Sequence, residues 1–564
     1  AAYAVANPGV TDVKITQQTG TCTGIVKDAT GEGVIGASVV VKGTTNGTIT
    51  GLDGDFSLSN VKEGDIIVIS FVGYATQEIK WTGKPLDVLL KDDTQLLGEV
   101  VVTALGMKRE EKALGYAVTE LKSEELYTNT VNPVASLQGK VAGVEISNSD
   151  GGIFGSAKIQ IRGASTLGSN NQPIYVVDGV ILDNSTQGRD MDGEEIDAID
   201  YGNELKNLNP DDFETVSVLK GAAATALYGS RGLNGAVVIT TKGGGKFKGF
   251  GVDVTQTLGI DHAYKQPSIQ TVYGPGARPG RIGYGENGNT WIPTYYTNAK
   301  GEPSLIGAST LGWGLPYDSS VMIEDYDDRK VPYSPIKNNM LDMYQLGFNT
   351  NTNVSVRGGN EKTSFYSSVS YKKVNATTPN NTFERYAFLV KGSHKISDRV
   401  DVAASVSFAN SKPRNAARAV GEYFYQGLTP LYDAKYYRDK YLSEQGGIAR
   451  SGDTYANVPE SSKSYWFNID NMDYNRKETV VRPILEVNVK IADWVRFKGE
   501  GNMNYVYIRE ENKELGTGVA YEGGNYKLAQ QTKEQTTFAG TFTFDKAVKD
   551  FNLGGFIRGE YYNN

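Results

Sequence analysis

Several short segments in the second half of the chain alternate apolar and polar residues, and this pattern limits the possible folds more than any other feature. In residues 399–408, Val400, Val402, Ala404, Val406 and Phe408 lie on one face, and Arg399, Asp401, Ala403, Ser405 and Ser407 lie on the other. Leu485, Val487, Val489 and Ile491 oppose Glu486, Asn488 and Lys490. Val495, Phe497, Gly499, Gly501, Met503 and Tyr505 oppose Arg496, Lys498, Glu500, Asn502 and Asn504. Phe538, Gly540, Phe542 and Phe544 oppose Thr537, Ala539, Thr541 and Thr543. Side chains alternate across a strand, so each segment is a strand with one apolar and one polar face. A soluble sandwich would show the same alternation.

Connection lengths separate the two possibilities. "VSVRGGNEKTSFYSSVSY", "LVKGSHKISDRVDVAASVSF", "LEVNVKIADWVRFKGEGNM" and "FTFDKAVKDFNLGGFIRG" are each two strands joined by a very short turn. Between them lie longer, polar, Tyr-rich connections, at residues 260–349, 375–383, 412–477 and 509–533. Short turns at one end and long loops at the other characterise outer-membrane barrels. With "GVDVTQTLG" at 251–259 the hairpins give nine strands. An odd number would leave the last strand running outward, so the 564 residues are expected to be less than the whole barrel.

Composition narrows the function. A net charge of −8 and a pI near 5.2 argue against nucleic acid as a partner. Cys22 is the sole cysteine, which excludes an internal disulfide and a cysteine-based zinc site. Only His262 and His394 supply imidazole, leaving little room for a histidine-ligated metal or a histidine-based triad. No run of 18 apolar residues marks a transmembrane helix, which leaves β-barrel spans open. The opening "AAYAVANPGV" lacks the basic and apolar parts of a signal peptide and reads as a mature or trimmed start.

Residues 21–92 form short strands separated by turns, with Asn46-Gly47 and Asp53-Gly54 as tight-turn dipeptides. Ile66 to Phe71 is apolar on both faces, as in a sandwich-core strand. A calcium loop starting at Asp53 fails, because Leu58 stands where its glycine is required.

From 113 to 245 the pattern changes to mixed α/β. "NPVASLQG" predicts a short helix capped by Asn132 and ending near Gly139. "AKIQIRGAS" and "PIYVVDGV" predict strands, as do Glu214–Leu219 and Ala236–Thr240. Ala222–Tyr228 predicts a helix closed by Gly229. A phosphate-binding loop in "KGGGKFKG" fails because Phe247 replaces the needed Ser or Thr. No catalytic constellation of acid, base, nucleophile or metal ligands emerges, so no cofactor is expected.

"IQIRG", "IYVVDGV", "VSVLKGAAATALYGSRGLNGAVVITTKGG" and "EVVVTALGMKREEKALGYAV" resemble the plug, and the approach to it, in TonB-dependent outer-membrane transporters. The likeness is to the SusC/RagA group of Bacteroidetes-type bacteria, whose members also carry a carboxypeptidase-regulatory-like sandwich in front. It implies a mainly β fold: a flexible start (1–20), the sandwich (21–92), a TonB-box linker (93–112), a plug (113–245) and part of a barrel of about 22 strands (246–564). It also implies active import across the outer membrane, a periplasmic front domain, and energy delivered by TonB with ExbB and ExbD. A SusD-like surface lipoprotein would be a further partner, and the cargo an oligosaccharide or, in some members, a peptide. A passive porin is the alternative, against which stands the plug-like region.

The resemblance gives "GEVVVTALG" a role. Val100, Val101, Val102 and Thr103 are extended by propensity and flanked by Gly98 and Gly106, as suits a TonB box that adds as a strand to TonB's sheet edge. The other possibility is the last strand of the front sandwich. The acidic insertion Asp183 to Asn203 interrupts the plug pattern, and Asp183, Arg189 and Asp190 are candidate cargo contacts. "WGLPYDSS", "GEYFYQGLTPLYDAKYYRDKY" and "ESSKSYWFNIDNMDYN" carry aromatic residues of the kind that stack on sugars, although ordinary loop packing explains each of them as well.

Overall fold

The computed structural model describes residues 19–28, 31–44, 46–71, 74, 76–90, 100–102, 108–110, 118–126, 130–148, 152–163, 171–182, 200–245, 249–276, 298, 300–306, 312, 314–415, 428–471, 473–516, 523–548 and 551–564. It forms two compact units, one of Ala1–Val101 and Lys108–Gly115, the other of Val102–Met107 and Tyr116–Asn564.

The front domain has seven strands: β1 (Thr19–Lys27), β2 (Ser38–Val41), β3 (Gly47–Ile49), β4 (Asp55–Lys62), β5 (Ile66–Ser70), β6 (Gln77–Lys80) and β7 (Leu86–Leu89). They form two sheets, ordered β4-β1-β7 and β3-β2-β5-β6. Val26, Val39, Phe56, Leu58, Ile67, Ile69, Trp81 and Val88 fill the core between them. β5 is apolar on both faces, yet only Ile67 and Ile69 are buried, while Ile66 is exposed and Val68 half-buried. The Asp53-Gly54 turn packs too tightly for a side chain at Gly54, whose φ is +74° and whose Cβ position is filled by the Val26 carbonyl. Burial pushes the Cys22 thiol up to about 11, so it behaves as a core residue.

Two short strands follow, β8 (Val100–Val102) and β9 (Lys108–Glu110), paired as a separate two-stranded sheet.

The next domain contains β10 (Val118–Lys122), β11 (Val144–Asn148), β12 (Ala157–Ile161), β13 (Ile174–Val177), β14 (Val180–Leu182), β15 (Phe213–Leu219), α1 (Ala222–Tyr228) and β16 (Ala236–Thr241). β11 and β12 make a hairpin, and the other strands make one mixed sheet, β10-β15-β16-β13-β14. The helix read from "NPVASLQG" is a 3-10 turn, Pro133–Leu137, and Asn132 caps it by accepting from Val134 N at 3.2 Å. "PIYVVDGV" is a strand ending in a Gly turn, β13 followed by Asp178-Gly179, with Val180 opening β14. Asp178 and Gly179 both have positive φ, +46° and +90°, as a two-residue turn between antiparallel strands requires.

The remaining strands build a wall: β17 (Gly249–Asp261), then β18 (Asp318–Glu324) and β19 (Lys330–Tyr333) as a separate hairpin, then β20 (Gly347–Gly359), β21 (Thr363–Asn375), β22 (Thr382–Lys395), β23 (Val400–Arg414), β24 (Asp473–Ala492), β25 (Val495–Glu514), β26 (Asn525–Val548) and β27 (Phe551–Asn563). Nine of these form one antiparallel sheet in chain order, from β17 through β20 to β27. Val254, Leu258, Val369, Phe388, Leu485, Phe538 and Ile557 are exposed on its outer face. The connection expected at 375–383 is a turn between Asn375 and Thr382, whereas 509–514 and 525–533, also expected as loop, are strand. In β25 the outward positions there are polar, Arg509, Glu511 and Lys513, so its alternation ends although the strand continues.

The two longest connections, before β20 and before β24, share one aromatic core. Ile323, Tyr333, Met343, Tyr432, Tyr437, Tyr465 and Trp466 are buried in it, together with the inner face of α2 (Glu460–Asn471). These buried rings therefore hold the two connections together and are not open to a ligand.

Expressed alone, residues 19–90 are expected to unfold in one cooperative transition. Ile67→Ala should lower their stability in urea by about 2–5 kcal/mol; an unchanged midpoint would place the core elsewhere.

Candidate functional site at the seam between plug-like domain and wall

Residues 201–213, joining β14 to β15, are all buried although about half are polar or charged. Local turns set their course. Asp200 accepts from Ser156 N, Ser156 Oγ and Gly202 N, each at 2.8 Å. Gly202 has φ +78° and lies against the Phe154 carbonyl, a position no side chain could share. Asn203 caps the 3-10 turn Glu204–Asn207, and Asn209 precedes a second one, Pro210–Asp212.

Strand register presents a matching surface. Asn351 stands opposite Lys372, Lys372 opposite Arg385, Arg385 opposite Ser411 and Ser411 opposite Glu478. All five are fully buried, and they form one row along the inner face of the wall. The plug segment answers it with charges, amides and main-chain carbonyls. Lys206 Nζ lies 2.8 Å from Glu478 Oε1, and Asn207 donates to Glu478 Oε2 at 2.8 Å. Arg476 Nε reaches the same carboxylate at 2.7 Å, and Ser411 donates to Asn207 at 2.5 Å. Arg482 and Asn504 donate to Glu204 Oε2 at 3.2 and 3.0 Å. Asn351 donates to Asp211 at 2.6 Å, and Tyr366 to Asp212 at 2.8 Å. Arg385 donates to the carbonyls of Lys206 and Leu208.

Two further ties hold other parts of the plug. Lys391 of β22 lies 3.3 Å from Asp178 in the β13–β14 turn. Arg231, just past α1, lies 2.5 Å from Glu560 of β27.

Burial raises the Asp212 carboxyl above the usual carboxylate range, against the pull of its hydrogen bonds from Ser368, Asn209 and Tyr366. Burial likewise holds the Lys206 ammonium below its usual range, with Glu478 opposing. A seam of this kind gains little net energy from burial, because desolvation offsets most of the attraction between charges. It is specific in register, since each charge is stranded if its partner is missing.

Val100, Val101 and Val102 lie on β8, whose neighbour is β9 and not a strand of the front sandwich sheets. Thr103, Asp183, Arg189 and Asp190 lie outside the described residues. Sequence reasoning did not find the seam. Its one visible signal is "NELKNLNPDDF", a polar run leading straight into a buried strand.

Residues 22–102 match the CarboxypepD_reg-like domain and residues 110–236 the TonB-dependent Receptor Plug Domain. Over 400 residues the chain is 35% identical to the TonB-dependent receptor SusC of Bacteroides thetaiotaomicron, covering 70% of this chain and 34% of SusC. The chain belongs to the SusC/RagA type of TonB-dependent receptors. This SusC/RagA-type chain is also 27% identical over 458 residues to the TonB-dependent receptor P26 of Formosa agariphila, covering 80% of the chain and 39% of P26. The open-open structure of the RagAB peptide importer shares the fold, with a TM-score of 0.60 at 19% identity, over 82% of this chain and 49% of that one. The chain thus spans between a third and two fifths of the length of these two curated relatives.

Glu478→Ala in the detergent-purified receptor is expected to cost about 3–5 kcal/mol by stranding Lys206 and Arg476. Lys206→Met combined with Glu478→Met should cost less than the two single changes added together. Thermal unfolding of all variants checks both; additive losses would mean that Lys206 and Glu478 do not act as a pair.

Proposed function

We propose that this chain supplies the plug and part of the wall of an outer-membrane importer energised by TonB with ExbB and ExbD. The observation that carries this reading is the seam. Apart from a small apolar patch, Phe154 and Tyr201 against Val374 and Phe383, the plug is held to the wall by charge pairs and hydrogen bonds, contacts that water can replace when the plug shifts. An apolar seal would have to expose hydrocarbon-like surface to water on every opening, at about 25 cal/mol per Å². Polar contacts reverse more cheaply, because the hydrogen bonds given up are exchanged for bonds to water.

The coupling strand in this proposal is Val100–Thr103. β8 is bonded to β9 along one edge among the described residues, which leaves its other edge for a strand of TonB. The cargo is an oligosaccharide, delivered by a SusD-like surface lipoprotein. That part rests on the SusC likeness. RagAB is named a peptide importer, but its similarity here is one of fold. The front domain would then lie in the periplasm.

The wall's apolar outer face makes retention by the membrane the first expectation. The full-length protein should stay in outer-membrane fractions through high salt and leave with detergent; release by salt alone would overturn the barrel reading. Cells with and without the gene, grown on defined oligosaccharides or on peptides, test the cargo. Loss of growth on peptides only would reassign it.

Val101→Pro removes a ladder N–H and fixes φ, whereas Val101→Thr keeps both strand propensity and the donor. The proline variant should lose energised uptake with surface binding of cargo and barrel abundance unchanged, and the threonine variant should be nearly silent. Normal uptake by the proline variant would remove this stretch from the coupling role. Increased proteolysis of the front domain instead would make it that domain's closing strand.

A further inference from the structure

The outer face of the wall carries a basic row that the import reading does not use. Lys373 stands opposite Glu384, and Glu384 opposite Lys412. Ser411 opposite Glu478 and Arg414 opposite Asn475 set Lys412 opposite Lys477, and Lys477 is opposite Arg509. These positions alternate with the buried inner row, so their side chains point outward. Lys412, Lys477 and Arg509 are all exposed.

Lys373 is neutralised by Glu384 at 3.4 Å, and Arg509 has Glu511 at 3.7 Å. Lys412 and Lys477 have no ion pair or hydrogen bond among the described residues. Three cations on adjacent strands, directly opposite one another, repel. Such a row persists most easily where an anion lies across it.

The row's height on the wall identifies the anion. It lies at the end from which the long connections emerge, opposite the short turn that carries the exposed Trp494. One row closer to that turn are Tyr371 and Tyr386, with ring centroids 4.7 Å apart, and Tyr507. The row after that is apolar, with Val369, Phe388, Phe408 and Val481. Apolar band, tyrosine girdle and then charge is the order from hydrocarbon through interface to headgroup. The end with the long loops is the outer one in such barrels.

We propose that Lys412, Lys477 and Arg509 form a binding site for the phosphate of an anionic lipid in the outer leaflet. This rests on the outer-membrane reading above. Guanidinium and ammonium groups side by side suit a phosphate that accepts from both, and the apolar band beneath them suits its acyl chains.

The test uses the full-length protein in detergent and native mass spectrometry with bisphosphorylated lipid A, its dephosphorylated form, and inorganic phosphate. Lys412→Gln/Lys477→Gln/Arg509→Gln should weaken binding of the bisphosphorylated lipid by about tenfold or more. Binding of the dephosphorylated lipid should be the same in both proteins. Lys412→Arg/Lys477→Arg should bind like the wild type. Equal binding by the glutamine variant, or wild-type binding indifferent to phosphorylation, would overturn the site. Full displacement of lipid by millimolar inorganic phosphate would reduce it to a general anion site and overturn the lipid assignment. Were the wild-type protein soluble without detergent, the outer-membrane reading would fall first; a detergent-requiring barrel with no phosphate preference would sink this proposal alone.

Discussion

A strand has two faces, and in the nine-stranded wall each is committed to a different neighbour. Across its middle band the outer face is apolar, so the polar residues of that band are placed on the inner one. A domain lodged against the inner face therefore meets Asn351, Lys372, Arg385, Ser411 and Glu478, and has to be polar where it touches them. The buried segment 201–213 is the result: a stretch with little apolar surface to gain from burial, held by partners on strands far along the chain. Glu478 is the tightest point of this arrangement, since one carboxylate serves Lys206, Asn207 and Arg476.

The division of the chain into regions of different grammar was legible because each region has its own period. β13, β15, α1 and β16 lie where short apolar runs and Gly turns put them, and β20 to β27 pair as the four short-turned hairpins required. What was hidden has physical causes. The last part of β25, residues 509–514, carries polar residues on both faces, so period two leaves no trace there. The seam was invisible because Glu204 and Arg482, or Lys206 and Glu478, are joined only by the fold, and a polar run looks the same whether solvated or paired. The aromatic connections were ambiguous for a similar reason: a tyrosine that packs on Trp466 and one that stacks on a sugar are the same residue in a sequence.

The loop core changes how the long connections behave. Tyr436 donates to Asp327 at 2.5 Å, Lys435 pairs with Asp342 at 3.0 Å, and Ile336 N donates to the Pro430 carbonyl at 2.8 Å. The two connections are one packed body, and neither can be reshaped without the other.

The pairing of β10 with β15 has a mechanical consequence. Val118 faces Leu219 and Lys122 faces Thr215, while the wall holds β15 just before its start, through Asp211 and Asp212. A tug entering along the strand at Val118 and resisted at Asp212 acts on opposite ends of this short ladder. Its rungs then bear the load together, in shear, instead of opening one after another as a zipper does. The same ladder pulled from Lys122 would unzip, so the strength of this contact depends on the direction of force. Single-molecule pulling from each end measures that difference, and equal rupture forces would show that the load reaches the ladder by another route.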